Sequence, residues 1–431
     1  MLSSSCMSLS SESPASAAAA LRERANALHQ QILTVDSHID FAPADLTGER
    51  NYSERLETQF NLPLMIEGGL AAAFFIVYVG QTREAQHPEA LQTTGYERAY
   101  KHAVEKFDAV KRFTTEIAGD KIALALTASD VRRITDMGKK VALIGVENGY
   151  PLGADIARVE EFYQRGARYL SLTHNGHNQL GDSHTGEKEG WKWHGVSPLG
   201  KQVIAALNRC GIMVDVSHAS KEAMLQTAAL SKAPIIASHS SCRALCDSSR
   251  NLDDEQLLAL KHTGGVIQIV AYDLFLKKLT PDSPQRSSAL AAARQEFGLP
   301  EPNHFASRAR YHALLKSLSE HQRAIYEEKL AAIAEAFPGD PATSIDDLLD
   351  HVDHAVKLLG IDHVGIASDF DGGGGVAGWN DAGETRNVTL ELIRRGYSAA
   401  QIAKLWGGNI LRVMEAAQTV ATISPTTQWR H

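Results

Sequence analysis

The sequence predicts an α/β protein, a (β/α)8 barrel of the TIM type, on three observations. Eight short apolar runs recur along 431 residues, amphipathic Ala- and Leu-rich segments separate most of them, and ionisable residues sit at or just past the ends of the runs. Near-continuous apolar runs fit strands covered on both faces, as in a parallel sheet. Barrels of this kind keep their chemistry at the C-terminal ends of the strands. Scattered core histidines would not line up in that way.

The runs can be justified in order. The first, "ILTVDSH", leads into His38 and Asp40, which are two apart and so face one side of a strand. The second, "LAAAFFIVYV", is wholly apolar. The third, "KVALIGVEN", ends in Glu147, a carboxylate that is costly to bury without a cation or hydrogen-bond partners. The fourth, "ARYLSLTHN", delivers His174, and His177, His184 and His194 follow in a polar loop expected to face solvent, unless one of them touches substrate. The fifth, "GIMVDVSH", ends in His218, with Asp215 inside the strand and expected to support a neighbour rather than bind a ligand. The sixth and seventh, "APIIASHS" and "GGVIQIVAY", bring His239 and Tyr272, the latter a pocket residue or a packed aromatic. The eighth, "HVGIASDFDG", brings Asp369, and Asp371 with Gly372 to Gly375 then makes a mobile rim or a tight turn.

Between the seventh and eighth runs, residues 276–345 break the rhythm and read as a helical insertion, either walling the catalytic rim or forming a solvated hairpin. The Ser- and Ala-rich residues 1–25 read as a disordered N-terminal tail. Residues 26–420 are expected to form one barrel domain with its insertion, and 421–431 a C-terminal tail.

Composition removes several function classes. A formal net charge of -8 argues against a nucleic-acid surface, which needs clustered Lys and Arg. No stretch is long and apolar enough to span a bilayer, no hydrophobic tail offers a lipid anchor, and no basic, apolar leader marks export. The expected location is cytoplasmic or periplasmic. Cys6, Cys210, Cys242 and Cys246 form no C-x-x-C pair, and Cys242 and Cys246 read as small buried residues.

A lone H-x-D is a weak metal signal. Its weight comes from company: His38, Asp40, Glu147, His218 and His239 make one Asp, one Glu and three His, all at strand ends. Two oxygens suit Glu147 to bridge two ions about 3.5–4 Å apart. Nitrogen and carboxylate ligands favour two Zn2+, although manganese, cobalt or iron suit similar ligands.

The motifs "VDSHID", "GVENG", "YLSLTHN", "VDVSHAS", "IASHSSCRALCDSSRN", "VGIASDFDG" and "LWGGNILRVM" resemble, in collinear order from about Ile32 to Ala417, the membrane dipeptidase (renal dipeptidase) family, peptidase family M19. The resemblance implies a metallo-dependent hydrolase barrel holding two zinc ions. His38 and Asp40 would bind the first ion, Glu147 would bridge, and His218 with His239 would bind the second. His174 would face the substrate and stabilise an oxyanion. Arg250 would hold the substrate carboxylate, with Arg243 a nearby competitor; Asp369 would carry the proton, and Tyr272 would line the pocket. The implied activity is hydrolysis of L-L and L-D dipeptides by a metal-bridging hydroxide, in a soluble, bacterial-type homodimer without a membrane anchor. Two other readings stand beside it: another metal-dependent amidohydrolase acting on an N-acyl amino acid, lactone or cyclic amide, and a non-catalytic binder on the same barrel.

Overall fold

Eight parallel strands close into a barrel in the computed structural model, which describes residues 14–81, 89–302 and 305–423. The strands are β1 (Val35–Ile39), β2 (Ala72–Tyr78), β3 (Ile122–Leu124), β4 (Lys140–Glu147), β5 (Ala167–Ser171), β6 (Met213–Asp215), β7 (Ile236–Ser240), β8 (Val266–Val270) and β9 (Val364–Ala367). Their order is β1-β2-β4-β5-β6-β7-β8-β9, and the ring closes through a parallel bridge between Ile39 and Phe370. Backbone bonds from Asp40 N to Phe370 O and from Asp369 N to His38 O fasten that seam.

All eight expected runs are barrel strands, and the alternation of strand with helix follows the sequence pattern. The ninth strand, β3, is an addition. It pairs with β4 at Lys140–Ala142, along the edge that β5 takes over from Ile144. Three residues are too few to carry a periodic signal.

The strands are buried along nearly their whole length, which explains why they read as continuous apolar runs rather than alternating ones. The ionisable residues of the candidate site lie at the strand ends, although buried polar side chains such as Asp36 and Gln268 also sit within the strands. Gly145 in β4 shows how tightly the interior is filled. A methyl group there would lie 2.2 Å from the Tyr169 ring, so the glycine is what lets Tyr169 reach across the barrel.

Two expectations about the flanks need restating. The Ser- and Ala-rich start is helical from Pro14 to Gln31, with Ala25 buried and His29 Nδ1 2.6 Å from Thr389 Oγ1. The alanine run is the strongest of helix formers, and its simple composition disguised that propensity. The rest of the expected N-terminal tail, 1–13, and most of the C-terminal one, 424–431, lie outside the described residues.

The insertion between β8 and β9 contributes helices Pro284–Glu296, Phe305–Ser317 and Glu320–Ala336, packed around a small cluster of Ala293, Leu299 and Tyr326. It docks on the catalytic rim rather than standing in solvent. Arg308 donates to Gly373 O at 2.8 Å and pairs with Asp273 at 2.8 Å, and Lys316 pairs with Asp381 at 2.5 Å. Cys210, Cys242 and Cys246 are free and buried.

Candidate metal centre

Five side chains from four strand ends meet at the C-terminal mouth of the barrel. His38 lies in β1 and Asp40 just after it; Glu147 ends β4; His218 follows β6; His239 lies in β7. Glu147 is the hub. Its Oε1 is 2.9 Å from His218 Nε2 and 3.1 Å from His239 Nε2, while its Oε2 is 3.8 Å from His38 Nε2. His38 Nε2 is 3.4 Å from Asp40 Oδ2.

Three overlapping groups have ligand atoms within 4.8 Å of one another: His38, Glu147 and His239; Glu147, His174 and His218; His38, Asp40 and Asp369. Glu147 and His38 each belong to two, which is the arrangement a pair of adjacent ions would use.

The far side of each imidazole decides what its near side can do. His38 Nδ1 is 3.1 Å from the Tyr169 hydroxyl, which itself donates to Ser37 O at 3.0 Å. The hydroxyl therefore accepts from His38 Nδ1–H. His239 Nδ1 faces Ser238 Oγ at 2.9 Å, and Ser238 donates to Asp215 Oδ2 at 2.6 Å. His218 Nδ1 faces the Asn175 carbonyl oxygen at 3.1 Å. The network places a proton on Nδ1 of all three rings and turns their Nε2 atoms towards Glu147, while Glu147 and Asp40 raise His38 to about 9 against its burial.

Such a cluster strains against itself unless a cation occupies its centre. The His218 and His239 Nε2 atoms, both acceptors in this tautomer, are 3.1 Å apart. Burial holds both rings well below the ordinary histidine range, so neither gains a proton to relieve the contact. Burial also pushes Glu147 above the usual carboxylate range, with Asp40 and Asp369 adding to the rise. The donor set fits divalent metal.

Local backbone geometry is spent on this convergence. His218 and Asp369 take positive φ values of 67° and 58°, conformations a non-glycine residue adopts only when its surroundings enforce them. Gly372 has a different task. A methyl there would sit 2.3 Å from Asp40 Oδ2 and 2.4 Å from Asp369 Oδ1, so only glycine leaves room for both carboxylates. Asp371 instead caps a loop by accepting from Gln59 N and Phe60 N.

The substrate side forms a cavity of about 410 Å³ against the cluster. A larger one, about 720 Å³, borders the helix Thr93–Arg112 but contains none of the converging ligands, so chemistry rather than size selects the site. His174 and Tyr272 both line the smaller cavity. His174 is held near 3 by burial and by Arg250, and its Nδ1 lies 3.3 Å from the Tyr78 hydroxyl. Asp369 Oδ1 is 3.8 Å from His38 Nε2. Burial pushes its carboxyl up to about 7, against the pull of His38 and with help from Asp40.

The two arginines separate cleanly. Arg243 is consumed by ion pairs with Glu187 at 2.5 Å and Asp247 at 2.9 Å. Arg250 is 4% exposed, donates from one terminal nitrogen to Ser240 Oγ at 2.7 Å, and has no partner for Nε or the other terminal nitrogen. A buried guanidinium with two idle donors, over the Phe275 ring at 5.4 Å, is built to receive a planar anion.

The profile of the membrane dipeptidase family, peptidase family M19, matches residues 22–428. The chain belongs to that family. Among relatives, the dipeptidase tcpJ of Claviceps purpurea (strain 20.1) is 28% identical over 368 residues, covering 84% of this chain and 70% of the relative. The solved structure of the probable dipeptidase PvdM from Pseudomonas aeruginosa superposes with a TM-score of 0.73 at 34% identity, over 94% of this chain and 100% of that one. A metallopeptidase from Rhodobacter sphaeroides, liganded with a phosphinate mimic of the dipeptide L-Ala-D-Ala, shares the fold with a TM-score of 0.66 at 22% identity, over 90% and 99% of the two chains. This M19 chain is therefore a hydrolase acting on peptide bonds, and its described residues include groups that could hold a metal ion. Among the described residues, no helix is long and apolar enough to cross a membrane.

Other residues at the M19 site were not singled out from the sequence. Tyr78, Asn175 and Tyr169 are uncharged and lie inside or beside apolar runs, so nothing marks them until the barrel closes. Of the three loop histidines expected to face solvent unless one touches substrate, His184 lines the cavity, 2.9 Å from both Ser249 Oγ and Asn175 Oδ1. His177 likewise turns inward to Asp182, at 3.0 Å, and only His194 is exposed as expected. The Tyr169 contact is testable. Tyr169→Phe removes the acceptor that fixes the His38 tautomer, and metal affinity should fall by about 10–100-fold in chelator-competition titrations while the barrel stays folded. An unchanged affinity would show that His38 needs no such support.

Proposed function

We propose that the chain is a binuclear metallodipeptidase cleaving L-L and L-D dipeptides that carry a free C-terminal carboxylate. The observation that carries this reading is the turning of three Nε2 atoms, from His38, His218 and His239, onto the two oxygens of Glu147. Asp40 and His38 would hold one ion, His218 and His239 the other, and Glu147 both; nitrogen and carboxylate donors favour zinc. Bound there, the ions supply Lewis acidity and an activated water at neutral pH.

The chain's own groups do the rest. Arg250 receives the substrate carboxylate on its idle nitrogens and so fixes the scissile bond relative to Glu147. The Tyr78 hydroxyl donates to His174 Nδ1, which leaves His174 Nε2–H free to donate to the oxygen of the tetrahedral intermediate. Asp369 takes the proton of the attacking water on a carboxylate oxygen and passes it to the departing amine. A carboxyl near neutrality is matched to both halves of that exchange. The L-D part of this reading draws support from the phosphinate mimic of L-Ala-D-Ala bound by the Rhodobacter sphaeroides relative.

A substrate panel tests the whole reading. Ala-Ala with an L or a D second residue should be hydrolysed after zinc loading and not after chelation, whereas the C-terminal amides should be cleaved far more slowly. Faster hydrolysis of N-acyl amino acids than of dipeptides would move the chain to the broader amidohydrolase reading. A protein that binds no metal would support a binder instead.

A further inference from the structure

Beyond Asp40 the site does not end. A second cavity of about 350 Å³ adjoins the first, and the two share Asp40, Tyr78 and Asp371. Into its wall projects Lys106, from the helix Thr93–Arg112 that follows β2. Lys106 lies on the apolar face of that helix, one turn from Ala103 and Val110, and is only 4% exposed. Its ammonium sits over the Phe41 ring at 4.7 Å and makes no hydrogen bond or ion pair among the described residues. Asp40 and Glu147 act on it only from beyond contact distance, and a lysine held this far out of water with no anion in contact marks a place where one is expected.

The carboxylates that line the same cavity do not fill that role, because each has a partner of its own. Asp45 is bound by Arg50 at 2.5 Å, Glu57 faces Arg310 at 3.7 Å, Asp371 accepts two backbone N–H groups, and Asp40 belongs to the metal cluster. The placement of Lys106 relative to Arg250 then gives the ligand its identity. Phe275, with Arg250 over its ring at 5.4 Å, lines the first cavity on the β8 side, and Asp40 with Tyr78 on the β1–β2 side, where the second cavity begins. A dipeptide with its C-terminal carboxylate on Arg250 and its scissile bond over Glu147 directs its first residue towards Lys106.

We infer that Lys106 is a specificity-determining residue that receives a carboxylate carried by the residue on the N-terminal side of the scissile bond. The preferred substrates are then dipeptides with an acidic first residue. This rests on the dipeptidase reading above, and the test separates the two. On the zinc-loaded protein, kcat/KM is measured for Glu-Ala and for its neutral isostere Gln-Ala. Cleavage of Gln-Ala tests the dipeptidase reading, while the ratio of the two tests the subsite. The parent should favour Glu-Ala by about tenfold or more, the worth of one charge-assisted contact. Lys106→Gln should bring the ratio close to one, and Lys106→Arg should retain it. A parent ratio near one overturns the inference whatever the variants do. So does a Lys106→Gln protein that slows on both substrates alike with the ratio intact, since Lys106 would then act through Asp40. An enzyme that cleaves neither dipeptide overturns both readings together.

Discussion

Glu147→Ala should lose turnover of dipeptides by roughly four orders of magnitude or more, and lose metal with it. The size follows from the geometry. Both carboxylate oxygens of Glu147 face imidazole nitrogens, Oε1 towards His218 and His239 and Oε2 towards His38. No other acid touches all three. Without it, the His218 and His239 Nε2 atoms, 3.1 Å apart, lose the oxygen that faces both, and the two halves of the cluster lose their link. Elemental analysis of the purified variant beside its kcat/KM checks both parts. A Glu147→Ala protein that kept two ions per chain and the parent rate would show that the cluster is not the catalytic centre.

Asp369→Asn should behave in the opposite sense with respect to metal. The amide keeps the size and hydrogen-bonding reach of the side chain but cannot exchange a proton. Metal content should stay at the parent level while kcat falls by about 10²–10⁴-fold, with KM little changed. The burial that lifts this carboxyl towards neutrality would be an unrewarded cost in a purely structural residue. Retention of the parent kcat would remove Asp369 from the proton path. Loss of metal would instead make it a ligand, a role its 3.8 Å separation from His38 Nε2 leaves open to measurement.

Much of this molecule is legible in its one-dimensional pattern. Strands buried on both faces must be apolar throughout, so the eight barrel strands announce themselves, and a charged residue that ends such a run is conspicuous because burying it needs a reason. His38, Asp40, Glu147, His174, His218, His239, Tyr272 and Asp369 were singled out by that logic, and the resemblance to the family added Arg250 and the roles. What the pattern could not carry is whatever depends on separate segments meeting. The short strand β3, the helical start of the chain and the docking of the insertion onto the rim each depend on a packing partner far away in the sequence.

The same division holds within the site. Residue type and position determined which side chains have the chemistry to bind metal. The tertiary structure alone decided their protonation and their neighbours: Tyr169 sets the His38 tautomer from across the barrel, Gly145 makes room for it, and Arg250 rather than Arg243 is left with idle donors. The physical reason is that a ligand's identity is local, whereas the lone pair it presents, the charge it carries and the partner it lacks are set by contacts between residues tens to hundreds of positions apart.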